Sequence, residues 1–127
     1  MAVAAIIAVA LAGQGVAAAG AAPEATYQVG YEQLVDGNNR AAIETIQANE
    51  EIANDDPARL INLGIALART GDFDAARRHF EAARDHEERF ELETASGDWV
   101  DSRTLARKGL AMLERGEFQR YFALSMR

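Results

Sequence analysis

Residues 57–83, PARLINLGIALARTGDFDAARRHFEAA, carry the pattern from which the fold is read. Leu60, Leu63 and Leu67 recur at spacings of three and four residues, which places them on one face of a helix. Pro57 suits the first turn of that helix, where its missing N–H has no intrahelical acceptor, and Asp55 or Asp56 stands ready as the cap. Gly64 allows a neighbouring helix to approach closely. Gly71 is free to adopt a positive φ and end the helix, and Asp72 and Asp74 are suited to open the next one. Ala76 is small where two such helices would cross, and Phe80 and Ala83 return to the same core.

Moving outward, the pattern repeats. Gly30 and Gly64 stand 34 positions apart, as do Gly37 and Gly71, Ala42 and Ala76, and the apolar pair Ile46 and Phe80. Leu60 and Leu105, Gly64 and Gly109, Gly71 and Gly116, and Phe73 and Phe118 are separated by 45, which is the same period lengthened by an insertion of 11 residues. Leu60, Leu63-Gly64, Leu67, Gly71-Asp72-Phe73, Ala76, Phe80 and Ala83 resemble the signature of the tetratricopeptide repeat (TPR), a helix–turn–helix unit of about 34 residues. The first copy departs at Asn39 and Asn49, and the third at Lys108 and Tyr121. Terminal repeats with one face toward water are commonly atypical.

The expected fold is therefore all-α, a TPR-like solenoid of about three repeats over residues 23–56, 57–90 and 102–127. Helices are expected at residues 24–36, 39–54, 57–70, 73–88, 102–115 and 117–126. The insertion, residues 89–101, reads differently. Phe90, Leu92 and Thr94 alternate with Glu91 and Glu93, and Ala95-Ser96-Gly97-Asp98 supplies turn chemistry before Trp99-Val100. This predicts either a short β-hairpin or an extended helix followed by a loop.

The N-terminus has another character. Residues 1–23 hold no charged group, and residues 2–12 are an unbroken apolar run followed by small residues. That layout is expected of a signal peptide over residues 1–21, cleaved after Ala19 or Ala21, although no Lys or Arg precedes the run. An uncleaved anchor and a buried N-terminal helix are the other readings. Export implies a periplasmic or secreted domain over residues 22–127, with no membrane span after cleavage.

All 20 carboxylates and 13 basic groups lie in residues 24–127, for a net charge of −7. Such a balance argues against a general nucleic-acid binder, which needs clustered Lys and Arg. The absence of cysteine removes disulfides, thiol nucleophiles and the usual structural zinc sites. His79 and His86 are seven residues apart, about two helical turns, too far to chelate one ion unaided, so no metal or cofactor is expected. No serine lies in a G-x-S-x-G turn and no glycine-rich loop opens a helix after a strand, so no enzyme activity is expected.

In stacked TPR units the first helix of each repeat lines a concave groove. The resemblance places Tyr27, Tyr31, Asn62, Ile65, Arg69, Arg103 and Arg107 on that surface. Chaperone-binding TPR domains clamp a peptide's terminal carboxylate with Lys, Asn and Arg side chains, and Asn62, Arg103 and Arg107 fall on matching positions, whereas Tyr27 and Tyr31 depart from them. Two guanidinium groups one turn apart suit bidentate carboxylate recognition; the plainer reading makes them solvated helix residues. Trp99, the sole tryptophan, is expected to be buried as the insertion folds back, the other reading being an exposed partner anchor. The function so implied is a scaffold that binds a protein or extended peptide, acidic or with a free carboxylate, in its groove. The competing expectation is a subunit of an obligate oligomer docking through Phe118, Tyr121, Phe122 and Leu124 of its last helix.

Overall fold

The computed structural model describes residues 30–126 and the backbone of Val9–Ala10. In chain order the elements are β1 (Val9–Ala10), α1 (Tyr31–Val35), α2 (Asn39–Ala48), α3 (Pro57–Arg69), α4 (Phe73–Arg84), β2 (Glu91–Thr94), β3 (Trp99–Asp101), α5 (Ser102–Glu114) and α6 (Glu117–Ser125). The fold is mainly α with one small antiparallel sheet of order β1-β2-β3. Apart from Val9–Ala10, the expected signal segment lies outside the described residues.

The same local chemistry closes the first two helix pairs at a spacing of 34. Gly37 N–H donates to Leu34 O (3.1 Å) and Asn38 N–H to Gln33 O (2.8 Å); Gly71 N–H donates to Ala68 O (3.2 Å) and Asp72 N–H to Leu67 O (2.9 Å). Both are Schellman turns, which need a left-handed residue after the helix, and Gly37 and Gly71 have φ of 80° and 95°. Asn38 and Asp72 then cap the following helices by accepting from Ala41 N–H and Ala75 N–H. Asp56 and Asp101, 45 apart, cap α3 and α5 in the same way.

Packing repeats too. A Cβ at Gly64 would lie 2.8 Å from the Phe80 ring, and one at Gly30 would lie 2.8 Å from Ile46, the residue 34 positions before Phe80. Gly109 meets the same Phe80 ring, where a Cβ would lie 2.7 Å away. Helices α3 and α5 therefore close on Phe80, which is fully buried and stacks on Phe118 with ring centroids 6.1 Å apart. Burial of each such side chain contributes about 1.5–3 kcal/mol before the entropy of ordering it. Leu34, Ile61, Ile65, Leu105 and Leu113 complete one continuous core.

The third pair departs. Helix α6 starts at Glu117, directly after Gly116, without the side-chain cap of the earlier pairs. Tyr121 stands where the second pair has Ala76 and is half-buried. Helix α6 instead lies back against α3. Phe122 covers Gly71, where a Cβ would lie 2.7 Å from its ring, and meets Phe73 edge to face.

Three expected helices depart from their predicted bounds by four residues or more, the others by one. Gly30 has φ 76°, so no helix runs through it from residue 24, and α1 begins at Tyr31. Helix α2 ends at Ala48, not 54: Asn49 Oδ1 accepts from Glu51 N–H, and Arg59 Nη1 takes the carbonyls of Asn49 and Ile52. Helix α4 ends at Arg84, not 88, where Glu88 N–H donates to His86 Nδ1 and Arg103 takes the next carbonyls.

The insertion forms a hairpin with Leu92 opposite Val100 and Glu93 opposite Trp99. Gly97 N–H and Thr94 N–H, bonded to Thr94 O and Asp98 O at 2.8 Å, close its turn. Ser102, buried, anchors its base through both bonds to Phe90. Leu92 is buried and Val100 packs beside it, so the opposite face carries Glu91, Glu93 and Trp99. The expected burial of Trp99 is thus corrected: 55% of it is exposed, because the turn sets its register opposite Glu93 and away from the core.

Candidate binding surface

Seven residues were expected to face one groove, and the structure does not bring them to one open surface. Tyr27 lies outside the described residues. Tyr31 is half-buried at the start of α1, packed on the core. Asn62 and Ile65 are corrected outright: at 0% and 1% exposure they belong to the interior. The cause is the position of α3, which is buried at every residue except the half-buried Leu67. It packs against α1, α2, α4, α5 and α6 and also against β1, so the face expected to line a groove is covered by the chain itself, the Val9–Ala10 strand included.

Arg69 is corrected with them. Its Nη1 donates to Leu34 O at 2.9 Å and to Asn39 Oδ1 at 3.1 Å, and its guanidinium lies 5.3 Å from the centroid of the Tyr121 ring. Asn39 also donates to the Tyr121 hydroxyl. Burial pulls the Arg69 pKa below its ordinary value, and Tyr121 opposes that shift. This cation joins α1, α2, α3 and α6 and is buried among them.

Arg103 and Arg107 do not converge. Arg103 is half-buried and its Nη2 donates to His86 O at 2.8 Å and Glu87 O at 3.2 Å, just beyond the C-terminus of α4 where helix carbonyls favour a cation. Arg107, one turn on, is exposed. The two-guanidinium carboxylate clamp is therefore not assembled, and Arg107 is the one member of the predicted set that faces water among the described residues.

The Asp56 and Asp101 caps differ electrostatically. Burial pushes the Asp56 carboxyl up, more than the Arg59 and Ala58 N–H groups pull it down; Asp55 adds to the rise and His86 opposes it. At Asp101, burial acts upward, but the Arg89 hydrogen bond, the N–H groups of Arg103 and Thr104, and the Arg89 charge hold the carboxyl below its usual range. Arg89 reaches Asp101 at 2.6 Å.

The histidines are engaged separately. His79 Nδ1 is 2.8 Å from Ala75 O, and His86 Nε2 is 3.4 Å from Asp55 Oδ2. Among the described residues no three His, Asp or Glu side chains gather as a metal ion requires, and no helix is long and apolar enough to cross a membrane.

The large apolar side chains left exposed are Val35, Trp99, Leu124 and Met126. Of the proposed docking helix, Phe118 is buried, and Tyr121 and Phe122 are half-buried within their own chain, which leaves Leu124. Trp99 stands directly across from Glu93, with Glu91 and Asp101 on the same side of the hairpin. The alternation of Glu91 and Glu93 with Leu92 is the sequence signal for this exposure. Comparison of the chain with known protein families, curated proteins and solved structures gives no match.

Proposed function

We propose that this protein is an exported TPR-like scaffold that binds a protein partner and performs no chemistry of its own. The observation that carries the repeat reading is the recurrence of whole contact sets at the sequence period: the Gly37 and Gly71 turns, and Gly30 on Ile46 beside Gly64 on Phe80. A single repeat unit cannot bury its apolar face, so stacked units of this kind build surfaces for other chains. Fold-level analogy supports binding as a class and nothing narrower. With β1 in place α3 is enclosed, and the surfaces open to a partner are the exposed side of α5 at Arg107 and the hairpin.

Crosslinking of the tagged full chain in its native cells, followed by mass spectrometry, tests the scaffold reading. A protein crosslinked to α5 or to residues 89–101 is expected, and failure to crosslink any protein there removes the reading. Export has its own test: intact mass of the protein recovered outside the cytoplasm should lack residues 1–19 or 1–21. Retention of Met1 inside the cell would end that part of the proposal.

A further inference from the structure

The hairpin is a built element. Its inner face, Leu92 and Val100, belongs to the core, and its base is held by Ser102 and by the Arg89–Asp101 pair. Beyond Asp101, which lies opposite Glu91 at the base and pairs with Arg89, the outer face carries side chains that make no such bond among the described residues. There the sole tryptophan of the chain stands directly across the strand from Glu93, with Glu91 two residues along on the same side. Among the described residues neither glutamate forms an ion pair, and Arg89, the nearest cation in sequence, is committed to Asp101. An exposed indole flanked by unneutralised carboxylates matches one chemistry: a cationic side chain, which can lie on the ring face while its charge meets the acids.

We propose that the outer face of this hairpin, Trp99 with Glu91 and Glu93, docks an arginine- or lysine-bearing segment of a protein partner. The proposal rests on the scaffold reading and supplies the partner's chemistry, opposite in sign to the acidic peptide expected for the groove. Charge complementarity decides the occupant. A second copy of this chain would bring Glu91, Glu93 and Asp98 against the same acids, in a molecule of net charge −7. Arginine is preferred to lysine because its planar guanidinium stacks on the indole and forks to a carboxylate at once.

The test uses Trp99 as its own reporter. The full chain is titrated with a fluorescein-labelled peptide of alternating arginine and glycine, following tryptophan emission in unlabelled peptide and anisotropy in labelled peptide. A saturable emission change is expected, weakened by salt. Trp99→Leu should weaken anisotropy-detected binding about fivefold, and Glu91→Gln/Glu93→Gln about tenfold. Glu32→Gln/Glu44→Gln, which removes the same charge from exposed sites on α1 and α2, should stay within about twofold; circular dichroism confirms that each variant keeps its helices. An equal loss in the α1/α2 variant, wild-type binding by Trp99→Leu, or no binding by the full chain each overturns the proposal. A crosslinked partner that maps to α5 alone would overturn it while the scaffold reading stands.

Discussion

The guanidinium of Arg69 lies 5.3 Å from the centroid of the Tyr121 ring, a contact between the end of α3 and the last helix. Its consequence is that the residue expected to meet a ligand holds the molecule closed. Arg69→Ala leaves Leu34 O without this donor and should cost about 2–3 kcal/mol in urea denaturation, as for a buried charge-assisted bond. Arg69→Lys should recover only part of this, since an ammonium lacks the fork. A double-mutant cycle of Arg69→Met with Tyr121→Leu should show coupling of about 1 kcal/mol; additive losses would reduce the contact to mere proximity.

Gly64 and Gly109 are helical glycines, so alanine would be favoured at either by about 1 kcal/mol if space allowed. Space does not allow it, because Phe80 occupies both positions. Gly64→Ala and Gly109→Ala should each destabilise by about 1–3 kcal/mol. Pairing either with Phe80→Leu should destabilise less than the sum of the single changes, by thermal or urea unfolding. Strict additivity would show that the ring is not what excludes the methyl group.

Asp56 and Asp101 perform the same cap with opposite pH consequences. The raised Asp56 pKa stabilises the fold fully below the unfolded carboxylate value, and that contribution is lost as pH rises through the folded value. Asp56→Asn keeps an oxygen for Arg59 N–H and should gain on the wild type as pH rises from about 3 to 7. The lowered Asp101 pKa contributes stability above the unfolded value that is lost as pH falls through the folded one. Asp101→Asn should therefore lose ground over the same range, with urea midpoints at several pH values as the check. Parallel profiles for the two variants would contradict the assigned directions.

Trp99 is more than half exposed, so its emission should resemble that of tryptophan in water and be readily quenched by acrylamide. Trp99→Leu should change stability by less than about 0.5 kcal/mol, as for a surface position. A blue-shifted, quencher-resistant emission would mean that the ring is covered in solution.

Local chemistry was legible in the residues themselves. The turns at Gly37 and Gly71, the cap at Asp72 and the small residue facing Phe80 each depend on a handful of neighbours or on a fixed period, whereas the residues leave open the choice of Asp56 over Asp55 and of a hairpin over an extended helix. A positive φ, a cap oxygen or a missing Cβ imposes its requirement wherever the chain goes. Helix ends were less legible, because α2 and α4 stop where Arg59 and Arg103 take the carbonyls that another turn would have used.

Only the tertiary structure decided what the long cationic side chains do and which faces stay open. Arg69 draws its main partner, Leu34 O, from 35 positions away, and nothing in the spacing of α3 announces that acceptor. The return of α6 over α3 follows from Tyr121 and Phe122 finding Arg69 and Gly71, contacts between residues more than 50 positions apart. Trp99 faces water because the turn places it opposite Glu93; a slip of one residue would have turned it to the core with Leu92. Periodicity states which residues share a face. Whether that face meets solvent, a partner or the chain's own last helix is settled by long-range packing, where one guanidinium or one ring chooses among distant acceptors.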